Sequence, residues 1–118
     1  MIDMENAKTL PPPYEIYDFE PRKPVYFKVV KWELGKVTIH PRWAGAPESK
    51  EILAIRLYVD PETKPYFPPY YDITPKRLVY QLAGMLATNF PRGMWLRIER
   101  DIPGPKAHFS VSWVEAPP

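Results

Sequence analysis

Thr74-Pro75-Lys76-Arg77-Leu78-Val79-Tyr80-Gln81-Leu82-Ala83-Gly84-Met85-Leu86 carries the clearest helical signal in this chain of 118 residues. Leu78, Leu82, Met85 and Leu86 recur at the spacing of one helix face, joined by Val79, Ala83 and Phe90. Thr74 is placed to cap the helix and Pro75 to occupy its first position, where a missing N–H costs nothing. Asn89-Phe90-Pro91-Arg92-Gly93 ends the element. Gly84 costs about 1 kcal/mol relative to alanine in mid-helix, a cost that close packing against a neighbour would explain.

Outward from this helix, both flanks read as strands. On the C-terminal side, Met94 to Asp101 sets Leu96 and Ile98 against Trp95, Arg97 and Glu99. Ala107 to Glu115 sets Phe109, Val111 and Trp113 against His108, Ser110 and Ser112. Pro103-Gly104-Pro105 turns between them. On the N-terminal side, Val25 to Glu33 is rich in β-branched and aromatic residues. Leu34-Gly35-Lys36 reads as a tight turn. Lys36 to Trp43 alternates with Val37, Ile39 and Trp43 on one face, and Glu51 to Val59 forms a third strand. There Leu53, Ile55, Leu57 and Val59 oppose Arg56 and Tyr58. Asp60 to Ile73 reads as a stiff aromatic loop containing Tyr66, Phe67, Tyr70 and Tyr71.

The expected fold is therefore α+β, an antiparallel sheet of about five strands in the order β-β-β-α-β-β with the helix on one face. Ile39, Ile55, Leu57, Leu96, Ile98, Val111 and Trp113 are expected beneath Leu78, Leu82, Met85 and Leu86. Residues 1–24 form a Pro-rich acidic arm ahead of a single domain at 25–118. The arm is expected to be ordered from about Leu10, with its first few residues frayed. Its Pro11-Pro12-Pro13 run, Pro21 and Pro24 prevent a helix and favour extended backbone.

Composition bounds the chemistry. There are no cysteines, so disulfides, thiolate metal sites and cysteine nucleophiles are excluded. Gln81 is the one glutamine and Asn6 and Asn89 the two asparagines, while prolines number 17. Few thermolabile amides and stiff loops point to a thermophilic source. No apolar run approaches the roughly 20 residues that span a bilayer. Met1-Ile2-Asp3-Met4-Glu5 lacks the basic and apolar segments of a secretory leader, so a cytoplasmic location is expected.

The net charge of +2 is unevenly spread. Asp3, Glu5, Glu15, Asp18 and Glu20 outnumber Lys8, Arg22 and Lys23 in the arm, leaving the remainder mildly basic. On the face turned from the helix fall His40, Arg42, Arg56, Tyr58, Trp95, Arg97 and His108, with Lys28 or Lys31 according to register. Cations among flat rings suit a single strand of DNA or RNA, whose bases stack while its phosphates are neutralised. The same face also suits a homodimer or a protein partner. If the acidic arm folds over it, binding becomes conditional on the arm.

No catalytic motif accompanies these residues. His40, His108 and Glu99 number enough for a zinc ion, yet their spacing does not demand one. His108 beside Ser110 or Ser112 is the alternation of a strand. There is no G-x-S-x-G, Walker A, G-x-G-x-x-G or H-E-x-x-H motif. The expectation is a non-enzymatic module without cofactor or metal. A third reading is a small-molecule enzyme or ligand binder with a pocket under the Pro/Tyr loop and a pKa-shifted residue such as Asp72 or His40.

Overall fold

The computed structural model describes residues 6–118. Asp3, Glu5 and the expectation of a frayed start fall outside the described residues. The elements are β1 (Val25–Phe27), β2 (Val29–Ile39), β3 (Lys50–Val59), β4 (Tyr70–Ile73), α1 (Lys76–Thr88), β5 (Trp95–Arg100) and β6 (Phe109–Val114). They form two three-stranded antiparallel sheets, ordered β1-β5-β6 and β2-β3-β4. The expected single five-stranded sheet is thus corrected. One nearly continuous stretch, β1 then β2, supplies a strand to each sheet and changes partner at Lys28.

Three local readings change with it. Gly35 lies inside β2, opposite Ala54, and makes no turn. A Cβ there would sit 2.7 Å from both Leu10 Cγ and the Lys8 carbonyl, so the glycine serves close approach of the arm. The aromatic loop contains a strand, β4, which pairs with β3 from Ile55↔Ile73 to Tyr58↔Tyr70. Val37 and Ile39 pack with Leu10, Ala54, Tyr14 and Ile52 in a small second core under the arm, not under the helix, and Trp43 is exposed.

The main core is largely as the alternation implies. Ile55, Leu57, Leu96 and Ile98 meet Leu78, Val79, Leu82 and Leu86, with Met85, Val111 and Trp113 half-buried around them. Phe19 of the arm is also part of this core. α1 packs against β3 and β6. Pro75, not Thr74, occupies the N-cap position, and no side chain caps the helix. Its first bond runs from Val79 N–H to the Pro75 carbonyl. Gly84 faces solvent with open space where a Cβ would stand, so close packing does not account for it. Among the described residues, no helix is long and apolar enough to cross a membrane.

The arm straps the β2-β3-β4 sheet. Leu10 N–H donates to the Lys36 carbonyl and Lys36 N–H to the Lys8 carbonyl, at the outer edge of β2. Asp72 N–H donates to the Glu15 carbonyl and Tyr17 N–H to the Asp72 carbonyl, at the outer edge of β4. Between the two parallel bridges, Thr9↔Lys36 and Ile16↔Asp72, the chain must cross four ladder spacings, about 19 Å at about 4.8 Å each. Seven steps of polyproline-like chain reach about 22 Å at about 3.1 Å each, so the Pro-rich composition fits the span. Prolines also suit the crossing because they bring carbonyls to a covered face without N–H groups that need acceptors.

Candidate nucleic-acid interface

Arg56 is the residue whose position most changes the functional reading. It projects from β3 away from the helix, as alternation requires, yet it is 1% exposed and Asp72 is 0% exposed. Its Nε donates to Asp72 Oδ1 at 2.8 Å, and its Nη1 to the Pro11 carbonyl at 2.7 Å. Nη2 lies 3.3 Å from Asp72 Oδ2 and 3.5 Å from the Pro13 carbonyl. The Tyr70 ring covers the guanidinium at 4.0 Å, and Tyr70 Oη donates to the Pro13 carbonyl at 2.6 Å. Burial opposes the charge of Arg56, but the Asp72 carboxylate outweighs it and raises the guanidinium pKa. A charge enclosed in this way holds the strap and does not meet a ligand.

Tyr58 shares that covered face. Its hydroxyl donates to Glu33 Oε1 at 2.6 Å, and Lys31 Nζ sits 4.2 Å from its ring centre. Lys8 and Tyr58 both donate to Glu33, in that order of effect, and hold its carboxyl below the ordinary range. The expectation that Arg56, Tyr58, Trp95 and Arg97 project together from one open face is therefore corrected. The first pair belongs to the strapped sheet and the second to the other.

Among the described residues, the outer face of the β1-β5-β6 sheet carries no strap. Trp95 and Arg97 alternate with the buried Leu96 and Ile98 on β5. Tyr26 stands opposite Arg97, and Ser112 flanks it on β6. Lys28 Nζ lies 5.9 Å from the centre of the Trp95 ring. Arg97 pairs with Glu99, and that hydrogen bond, then one with Tyr26, raises its pKa. Lys28 pairs with Glu62 at 3.4 Å. Of the residues expected on an open face, Lys28, Trp95 and Arg97 are brought together here.

The choice between Lys28 and Lys31 resolves as both. The ladder is irregular between Val29 and Lys31, and the extra residue, Val30, is 59% exposed. Such a bulge reverses the in–out parity of the residues beyond it. Lys28 therefore faces outward beside Trp95 on one sheet, and Lys31 outward beside Tyr58 on the other.

The remaining candidates lie elsewhere. His40 follows the last residue of β2 and has the opposite parity to Val37 and Ile39, so, contrary to expectation, it is not on the face of Arg56. Its Nδ1 lies 3.1 Å from the Glu48 carbonyl oxygen, and Arg42 is exposed in the loop beyond it. His108 precedes β6, with its ring 3.2–3.3 Å from Arg77 Nη1 of the helix. Its backbone N–H donates to Asp101 Oδ1 at 2.7 Å. Tyr70 packs on the arm side, and Tyr71 packs edge-on against Tyr17 and Phe27 on the core side. Tyr66 and Phe67 point outward instead, Phe67 at 77% exposure. Lys64 fills the space beneath this loop, donating to the Tyr70 carbonyl at 3.0 Å with Nζ 4.5 Å from the Tyr71 ring centre. Among the described residues, no cluster of three His, Cys, Asp or Glu side chains is arranged to hold a metal ion.

Sequence reasoning missed Tyr26 and the groove where the two sheets part. That groove, of about 710 Å³, is lined by Lys28, Val29, Val30, Lys31 and Trp32 from the shared strand and by Phe90, Arg92 and Gly93 from the loop before β5. Tyr26 was legible from the alternation of Val25, Tyr26 and Phe27. The groove was not, because it depends on where one strand exchanges partners. No protein-family model, curated protein or solved structure matches the chain.

Proposed function

We propose that the protein is a non-enzymatic module that binds single-stranded nucleic acid on the outer face of the β1-β5-β6 sheet. The observation that carries the reading is the grouping of Tyr26, Lys28, Trp95 and Arg97 on a face that, among the described residues, neither helix nor arm straps. Two flat rings with cations beside them offer base stacking and phosphate contact together. Ser110 and Ser112 are small neighbours on β6 that leave room above the rings. Trp95 and Tyr26 have the role of stacking platforms; Lys28 and Arg97 have the role of backbone contacts.

The test is a titration of fluorescent single-stranded DNA and RNA at two salt concentrations, with light scattering to fix the oligomeric state. Salt-dependent binding by a monomer, weakened by about 1–3 kcal/mol in Trp95→Ala, supports the proposal. A stable dimer that hides Trp95 and binds no oligonucleotide would assign the face to a second copy of the chain.

A further inference from the structure

We infer that the groove between the parted sheets holds the phosphodiester backbone of the bound strand, and that Lys31 and Arg92 carry most of the electrostatic attraction. The inference rests on the nucleic-acid reading of the neighbouring face and names the groups that give that site its charge.

The four cations around the site are not equivalent. Arg97 is already paired with Glu99 and Lys28 with Glu62. A cation whose charge is cancelled by its own carboxylate neutralises a phosphate only by giving up that partner. Lys31 and Arg92 form no ion pair among the described residues. Both are exposed and both line the groove. Lys31 is positioned over the Tyr58 ring, and Arg92 stands in the turn completed by Gly93, whose φ is +80°. Neutralising phosphates with such unpaired cations releases counterions, which is what makes affinity depend on salt.

The groove also has the shape for a backbone. Trp32 and Phe90 line it with apolar surface against which a sugar can lie. Lys36 spends its N–H and carbonyl on the arm at the outer edge of β2, and ladder alternation turns those of Leu34 and Trp32 the same way. An outward N–H at Trp32 is a neutral donor of the kind that positions phosphate oxygens. Lys28 lines the groove and also stands over Trp95. A strand stacked on Trp95 therefore has a continuous route past Lys28 into the groove.

The deciding experiment titrates fluorescent single strands of about four and about twelve nucleotides across several salt concentrations. It compares the unaltered protein with Lys31→Gln/Arg92→Gln, Arg97→Gln and Trp95→Ala. Because these side chains are exposed or half-buried, unchanged melting curves establish that each variant is folded. The double substitution is expected to shallow the salt slope for the longer strand by about 1.4, two phosphates at about 0.7 each. Arg97→Gln is expected to change it by less than half of that, and Trp95→Ala to weaken binding at unaltered slope. An unaltered slope in the double variant, with Trp95→Ala still weakening binding, overturns the groove inference and leaves the reading of the face standing. Absence of binding by the unaltered protein overturns both. Equal, slope-matched binding of a polyglutamate peptide that depends on Lys31 and Arg92 would give the groove to acidic polypeptides and likewise overturn the inference.

Discussion

Arg56 on β3 and Arg97 on β5 begin from the same local pattern. Each alternates with core-facing apolar residues, stands one position-pair from an aromatic ring and points away from the helix. Their fates are opposite. Arg56 is enclosed by Asp72, Tyr70 and the carbonyls of Pro11 and Pro13. Arg97 lies on a face with Tyr26 and Trp95 and pairs with its near neighbour Glu99. The difference is made by a segment more than forty residues away in sequence from Arg56. A cation and a ring on the polar side of a strand are thus equally good material for a latch or for a binding face. What decides between them is whether another part of the chain covers them.

The largest effect that can break this contrast is expected at Arg56. Arg56→Ala leaves Asp72 charged and buried without its partner, which should cost about 3–5 kcal/mol in chemical denaturation. Arg56→Met/Asp72→Leu removes both charges, and the loss should shrink to a fraction of that. A small cost for Arg56→Ala alone would mean that the strap does not depend on the pair. The same change at Arg97 should fall within about 0.5 kcal/mol of the unaltered protein, because a solvent-facing side chain leaves no buried charge behind.

Two glycines sharpen the comparison next. Gly35→Ala drives a methyl into Leu10 and the Lys8 carbonyl and should cost about 1–3 kcal/mol by overpacking, with faster proteolysis of the arm. Gly84→Ala meets open space in mid-helix and should stabilise by up to about 1 kcal/mol. Thermal melts of the two variants should move in opposite directions. Matching shifts would refute the distinction between a glycine used for contact and a glycine that is merely tolerated.

The smallest effect concerns pH. Glu33 joins the arm to the sheet through Lys8 and Tyr58, whose hydrogen bonds hold its carboxyl below the ordinary range. An acid depressed in the folded state stabilises above its unfolded pKa, about 4.3, and that contribution is lost as pH falls through the folded value. Since Lys8 is largely exposed, the contribution should be only about 0.2–1 kcal/mol. Glu33→Gln should lower stability at neutral pH by this amount and converge with the unaltered protein at acid pH. A constant gap across the pH range would assign Glu33 a role other than its charge.

How much of the fold and the site was legible in the sequence depends on how local each signal is. The helix from Leu78 to Leu86 and the alternations around Ile55, Leu57, Leu96 and Ile98 were readable because a period of 3.6 or 2 is written within a few residues. β4 was not, since Tyr70-Tyr71-Asp72-Ile73 is short and comes directly after Pro68 and Pro69, which signal a loop. Gly35 was misread because a turn and a close approach leave the same mark in one dimension. The change of partner at Lys28 and the burial of Arg56 depend on long-range pairing that alternation does not encode. Of the residues expected on one face, Trp95, Arg97 and Lys28 lie together because, among the described residues, no distant segment straps that face.

The most direct measurement is a set of backbone amide chemical shifts recorded while a short single-stranded oligonucleotide is added. The account predicts perturbation centred on Tyr26, Lys28, Trp95 and Arg97 and continuing through Lys31, Trp32 and Arg92, with Ala54, Arg56 and the arm's Leu10 and Tyr14 unchanged. Shifts concentrated on Arg56 and the arm, or none anywhere at saturating oligonucleotide, would contradict it.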